Sequence, residues 1–447
     1  MTYHLKTFPQ QKYILEPQRA FDHTIVGKDG TEYLDLTAGG TSFALIGYGN
    51  KKVETAILKQ LRKFSHLDCK TFEDKNREKL SEILINSSPA FKNKKRKVFF
   101  SGGSGAEAIE MAMHMSFQWH KENGNYKKKW FISRNQSYHG ATSGALSIGE
   151  RPNLEFYRSL QSNKRKRVSE CNYFKNKHPE ETEEDYTKRL VKELEDTIHK
   201  IGSENICAFI GETMMGGLVG DVPPTKNYWR DIGAVCKKNN IHLILDEIWC
   251  GTGVSGKYHC FEYDNVLPDF LVLGKSLGCG YIPISAVIVD EEFNNVIEKG
   301  SGRIEMSCTF QGHSAAVAAS LAVQEIITEN GFIDEVYKKG NLIRETLKEN
   351  LLDNPIVKNI RGRGVRNSLE YSTADNNLFN QLLSERLFKE KNILISCKWH
   401  RTSFSHAMTL NYDEINYYLE SFCETFNQLS STNLLNKDNQ NKEKLYF

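Results

Sequence analysis

The stretch that decides the fold runs from residue 242 to 275 and reads HLILDEIWCGTGVSGKYHCFEYDNVLPDFLVLGK. Its first apolar run, HLIL, delivers an acid pair, Asp246 and Glu247. A glycine-rich turn, GTGVSG, follows, and a second apolar run, FLVLG, delivers Lys275. Short apolar runs bounded by turn signals read as buried strands. Each of the two strands therefore ends in an ionisable residue. A buried charge is costly unless it is paired or put to use. An aspartate and a lysine at neighbouring strand ends call for a shared purpose.

Upstream, the same pattern repeats. KVFF before residue 101, WFIS at 130–133 and the run at 206–211 read as strands, as does SAVIVD at 285–290. Between them lie helical stretches, among them 184–200 and 226–239. Strands alternating with helices from about 97 to 290 predict an α/β unit with a mainly parallel sheet flanked by helices. In such sheets, ligand residues gather at the carboxyl ends of the strands. Residues 101–105, Glu212, Asp246 and Lys275 all occupy that position. SGGSG, between KVFF and a helix with Ile109, Ala112, Met113 and Phe117 on one face, suits a phosphate. Small residues let an anion approach the free N–H groups of a helix start. The polar segment 161–190 reads as a surface excursion, and the basic run KNKKRK at 92–97 as a solvated loop.

The chain ends read differently. Residues 1–60 carry a short strand, TEYLDL, a glycine-rich loop and the start of a helix at 53–65. Beyond 320, an Ala-rich helix leads to strand–turn–strand at 356–371, a helix at 376–390, a strand ILISC and a helix at 412–428. This predicts a smaller α+β domain made of both chain ends. The expected division is 1–60 for its N-terminal part, 61–320 for the large domain and 321–430 for its C-terminal part. Residues 431–447 are polar and expected to be disordered.

Composition sets outer bounds. The chain has 447 residues, 26% charged, with a net charge of +3, which argues for neither a nucleic-acid nor a membrane surface. No run approaches the roughly 18 apolar residues of a membrane span, and the start lacks the apolar core of a signal peptide. The ten cysteines include no CxxC pair with metal spacing, so free thiols and no metal site are expected. Together these predict a soluble cytoplasmic protein.

What chemistry needs a lysine, an aspartate and a phosphate cup? A lysine buried at a strand end would have a lowered pKa and could form a Schiff base with a carbonyl. An aspartate can keep a pyridine nitrogen protonated. A helix start can hold a phosphate. Together they describe pyridoxal 5'-phosphate. Nucleotide alternatives fit worse: SGGSGAE lacks the Lys-Ser/Thr of a P-loop and the spacing of GxGxxG.

Over roughly residues 30 to 370 the sequence resembles the class III aminotransferases, the ω-type branch of the fold-type I pyridoxal phosphate enzymes. DEIWCGTGVSGK and PDFLVLGKSLGCGYIPISAV resemble that family's signature block. SGAEAIE, SYHGAT, GETMMGG, TFQGH and RGRGV match in order. The resemblance implies that Lys275 forms the Schiff base and moves the proton, and that Asp246 pairs with the pyridine nitrogen. It implies backbone donors to the phosphate at Gly105 and Ala106, with Ser104 beside them, and an aromatic stack at Tyr138. It places Glu212 near the cofactor's ring oxygen and Thr309 at the phosphate of a neighbouring subunit, so a homodimer with sites at the interface is implied. His139 reads as a structural hydrogen-bonding residue, and Cys250 and Cys279 as small fillers. The activity implied is amino transfer from an amine or amino-acid donor to an oxo-acid acceptor. Two alternatives stand beside it: an amino-acid racemase or epimerase of the same family, and an inactive cofactor-binding partner subunit.

Two departures bear on specificity. After DEI the family often carries a polar residue, commonly Gln, where this chain has Trp249. Near the C-terminus the family usually has an arginine before a Pro-Pro-Leu-like segment. This chain reads KWHRTSFSHAMTL, so Arg401 is the candidate for gripping a substrate carboxylate.

Overall fold

The structure, a computed structural model, describes residue 5, residues 15–151 and residues 154–431. The tail expected to be disordered lies, past its first residue, outside them. The chain divides into two compact units. One is Lys51–Lys338; the other joins residues up to Asn50 with those from Lys339 onward.

Fifteen strands follow one another along the described residues. β1 (Pro17–Phe21), β2 (Thr24–Gly27) and β3 (Glu32–Asp35) come first. Seven more belong to the unit Lys51–Lys338: β4 (Arg96–Phe100), β5 (Trp130–Arg134), β6 (Arg165–Val168), β7 (Ile206–Glu212), β8 (His242–Asp246), β9 (Phe270–Leu273) and β10 (Ala286–Asp290). β11 (Val357–Arg363), β12 (Arg366–Tyr371), β13 (Ile393–Leu394), β14 (Ser396–Lys398) and β15 (Arg401–Phe404) complete the set.

The seven strands form one sheet in the order β4-β10-β9-β8-β7-β5-β6. From β9 to β6 every neighbour is parallel, and β10 runs antiparallel to both β9 and β4. β9 and β10 are joined by residues 274–285, whose only helical turn is Lys275–Leu277, whereas a parallel crossover usually carries a full helix. Every residue of β7, β8 and β9 is buried, which accounts for their unbroken apolar runs. The helix Gly105–Glu122 packs Ile109, Ala112 and Met115 into a core with Ile210, Ile244, Val272 and Val287. Register puts Glu212 beside Asp246, and Asp246 beside Val272, so two acids stand level at one end of the sheet.

β6 corrects the reading of 161–190 as a surface excursion alone. RKRV has no apolar alternation, yet it forms the edge strand. An edge needs few buried side chains and benefits from charge, so the usual strand signal is absent there.

In the other unit, β13 pairs in parallel with β3, so both ends of the chain contribute to the sheet β1-β2-β3-β13. An antiparallel sheet β11-β12-β15-β14 and the helices Asn376–Lys391 and Tyr412–Ser430 share a core that includes Tyr371, Leu383, Phe404, Phe422 and Phe426. The glycine-rich loop after β3 is tied to Asp35. That carboxylate accepts from Thr37 N (2.8 Å), Gly39 N (2.7 Å) and Tyr48 OH (2.6 Å).

At the amino ends of β7 and β8 lies a buried basic cluster. His120 Nε2 bonds the Cys207 carbonyl at 2.9 Å, and its ring stacks on His242 with centroids 4.3 Å apart. His242 Nδ1 meets Ser116 Oγ at 2.8 Å, and Lys128 Nζ donates to the carbonyls of Ser203, Ile206 and Asn240. Burial pushes His120 down to about 4 and holds His242 well below its ordinary value. Both rings are neutral in the fold, whereas the unfolded chain protonates them near pH 6.5. Their contribution to stability is therefore full above about pH 6.5 and is lost as the pH falls below it, for His120 toward about 4. The urea midpoint should drop across that window, and His120→Gln with His242→Gln should flatten the slope there.

Candidate active site

Asp246 is the last residue of β8 and is buried. Its Oδ2 accepts from His139 Nδ1 at 2.8 Å and its Oδ1 from the Ile248 N–H at 3.0 Å. A carboxylate offers about four acceptor positions, so room remains for a further donor. His139 is buried too, and its Nε2 has no hydrogen-bond partner among the described residues. The acid pair of the sequence thus divides its work. Glu247 turns the other way and clamps the following loop, accepting from Cys260 N (2.7 Å) and Phe261 N (2.6 Å).

Glu212, at the end of β7, is buried beside Asp246. Arg134 donates to its backbone carbonyl, and its Oε1 accepts from Gly216 N at 3.4 Å. Burial is the main reason its carboxyl is pushed up to about 7, with the Asp246 charge adding to the effect and His139 and Arg134 opposing it.

Lys275 does not sit inside β9. It lies two residues past the strand, half-buried, with φ of 39°. This corrects the expectation of a fully buried strand-end lysine. A left-handed backbone costs a non-glycine residue about 1–2 kcal/mol. The turn is held by side chains that sequence reading passed over. Gln324 Nε2 donates to the carbonyls of Ser276 and Leu277, both at 3.0 Å, and Ser320 Oγ donates to Leu277 O at 2.7 Å. Tyr258 OH fixes Gln324 from behind at 2.9 Å. The available signal was a buried glutamine in the mostly small and apolar helix Ser314–Ile327.

The segment expected to hold a phosphate is a well-made helix start. Ser104 caps the helix Gly105–Glu122 with a reciprocal capping box through Glu107. The first-turn N–H groups at Gly105 and Ala106 have no carbonyl to bond within the helix. Three close approaches bring the parts together. A Cβ on Gly274 would lie 3.2 Å from Ile248 and 3.7 Å from the Gly105 Cα. A Cβ on Gly105 would strike Ile248 at 2.4 Å. A Cβ on Gly140 would strike the Ala106 Cβ at 2.4 Å. The cup, the lysine turn, the SYHG loop and Asp246 therefore border one another.

Other expected residues fall at different distances from this centre. Tyr138 is half-buried next to His139, with the Arg151 guanidinium 5.0 Å from its ring centroid. Trp249 is half-buried, its ring centroid 5.6 Å from Lys275 Nζ. Thr309 is exposed on a loop, its carbonyl 3.2 Å from His66 Nε2. Arg401 belongs to the other unit, buried on β15, with its guanidinium 4.6 Å from the Trp399 ring centroid. Cys250 and Cys279 are buried free thiols.

Comparison with known proteins agrees with this geometry. The family model described as aminotransferase class-III matches residues 8–426. The chain belongs to the class III aminotransferases. It is 36% identical to gamma aminobutyrate transaminase 2 of Solanum lycopersicum, over 78% of this chain and 75% of that one. An uncharacterized aminotransferase of Schizosaccharomyces pombe is 35% identical, over 77% and 74%. Among solved structures, the omega transaminase of Pseudomonas jessenii in complex with PMP is 26% identical. It superposes with a TM-score of 0.87, covering 96% of both chains. As a class III aminotransferase the protein moves an amino group from an amine or amino-acid donor to an oxo-acid acceptor, on a large α/β and a smaller α+β domain.

The raised carboxyl of this aminotransferase's Glu212 has a measurable consequence. Its folded value, about 7, lies above the unfolded one, near 4.5. Folding is therefore penalised increasingly as the pH rises through that interval, and fully above it. Glu212→Gln should stabilise the cofactor-free protein by roughly 1–3 kcal/mol at pH 8 and by almost nothing at pH 4. Paired urea titrations at the two values check this.

Proposed function

We propose that amino transfer runs on pyridoxal 5'-phosphate held by Ser104, Gly105, Ala106, Tyr138, Glu212, Asp246, Lys275 and Thr309. The observation that carries this reading is the buried Asp246–His139 pair, 2.8 Å apart, set beside the lysine turn and the helix start. The donor set fits the cofactor. Asp246 has acceptor capacity left for a ring N–H, and the helix start offers N–H groups for a phosphate. When bound, the cofactor supplies an aldehyde that links covalently to a lysine nitrogen, and a ring that takes up electrons from the donor's Cα–H bond.

The chain's own residues do the rest. Asp246 holds the proton of the ring nitrogen, and His139 fixes the carboxylate from behind. Lys275 Nζ would be the nitrogen to which the cofactor attaches and the base that takes the proton from the donor's Cα. Gly105 and Ala106 N–H groups orient the phosphate. Tyr138 would stack on the ring, and Glu212 would stand near its oxygen. Trp249, next to Lys275, would face the substrate.

The same proposal includes a homodimer in the cytoplasm. Thr309 lies exposed beside exposed Met306 and Phe310, a composition suited to burial against a second copy. All ten cysteines are free, which suits a reducing compartment. No helix among the described residues is long and apolar enough to cross a membrane. The relatives, named as aminotransferases and transaminases, give no support to racemisation. The presence of both Asp246 and Lys275 speaks against an inactive partner subunit.

The loaded protein should sediment as two chains and lose its visible band when mixed with one class of amine. An oxo acid should restore it, and Asp246→Asn should slow the loss at least a hundredfold. Stopped-flow absorbance over a panel of amines measures this. Turnover of a single amino-acid enantiomer with no oxo acid present would instead identify a racemase.

A further inference from the structure

Trp249 stands where the family often carries a polar residue, and its surroundings are specific. The indole N–H donates to Asp221 Oδ1 at 2.7 Å. Asp221 is itself buried, in a tight loop closed by the Met215–Val222 bridge. The ring presses on Gly216, where a Cβ would meet the Trp249 Cδ1 at 2.5 Å, so only glycine fits beneath it. Gly216 in turn gives its N–H to Glu212 at 3.4 Å. On its remaining side the ring stands 5.6 Å from Lys275 Nζ, within the range of a cation–π contact. One side chain thus touches the anchor loop, the glycine that donates to Glu212 and the nitrogen of the lysine.

We propose that Trp249 is a positioning residue that presents its π face to the nitrogen at Lys275, with Asp221 as the anchor that fixes the ring's orientation. This rests on the role proposed for Lys275. The consequence is electrostatic. An aromatic face stabilises a cationic nitrogen and does nothing for a neutral one. The linked nitrogen of the loaded enzyme therefore keeps its proton to higher pH than it would beside an aliphatic residue.

The test uses the loaded enzyme and two spectroscopic readouts. First, the visible band is titrated with pH in the wild type, Trp249→Phe and Trp249→Leu. The midpoint should fall by at least about 0.5 unit in W249L and by less in W249F, which keeps an aromatic face. A W249L midpoint within about 0.2 unit of the wild type would overturn the proposal. Second, cofactor is added to the cofactor-free wild type and W249F while tryptophan emission is followed. Wild-type emission should be quenched by a clearly larger fraction than that of W249F, although four other tryptophans remain. Equal fractional quenching would place Trp249 away from the lysine nitrogen and contradict the proposal. Should W249L not take up cofactor, the W249F quench decides alone. A wild-type protein with no visible band would instead refute the function proposed for Lys275, a separate outcome.

Discussion

The buried contact between His139 and Asp246 is the constraint on which the arrangement depends. An aspartate at the end of a wholly buried strand would be expensive alone. Here it is given a ring nitrogen on one oxygen and a backbone N–H on the other. The contact also ties together parts far apart in sequence, because His139 belongs to the SYHG loop after β5. The neighbouring Gly140 leaves no space for a side chain against Ala106 at the helix start. One hydrogen bond thereby fixes the distance between the carboxylate and the anion cup.

The second constraint is the backbone at Lys275. The chain leaves β9 through an extended Gly274 and enters a left-handed lysine. Such a conformation persists only where its surroundings over-determine it. Gln324 and Ser320, reaching from a buried helix, hold the two carbonyls that follow. The same connection, residues 274–285, then leads into antiparallel β10.

The sequence made much of this legible, and the reasons are specific. β7, β8 and β9 are buried on both faces, so their runs are continuous and their ends sharp. Asp246 and Glu212 could be placed at strand ends because each closes such a run, and the helix start at residues 104–106 because SGGSG stands between a strand and a helix. β6 could not, since an edge strand of basic residues carries no apolar period. The half-buried state of Lys275 could not be read either, because a left-handed lysine looks in sequence like any strand end. Gln324 was hidden for another reason: its partners are main-chain carbonyls, which sequence does not display. Trp249 was visible as a departure, but its bond to Asp221 joins residues 28 apart and needed the fold.

The central claim is that Lys275 is the nitrogen to which the cofactor attaches. Borohydride reduction of the loaded protein, followed by peptide mass spectrometry, tests it most directly. The account predicts one added cofactor mass, on the peptide that contains Lys275, and none in Lys275→Ala treated in the same way. A label on another lysine, or a loaded wild-type protein that takes no label, would contradict it.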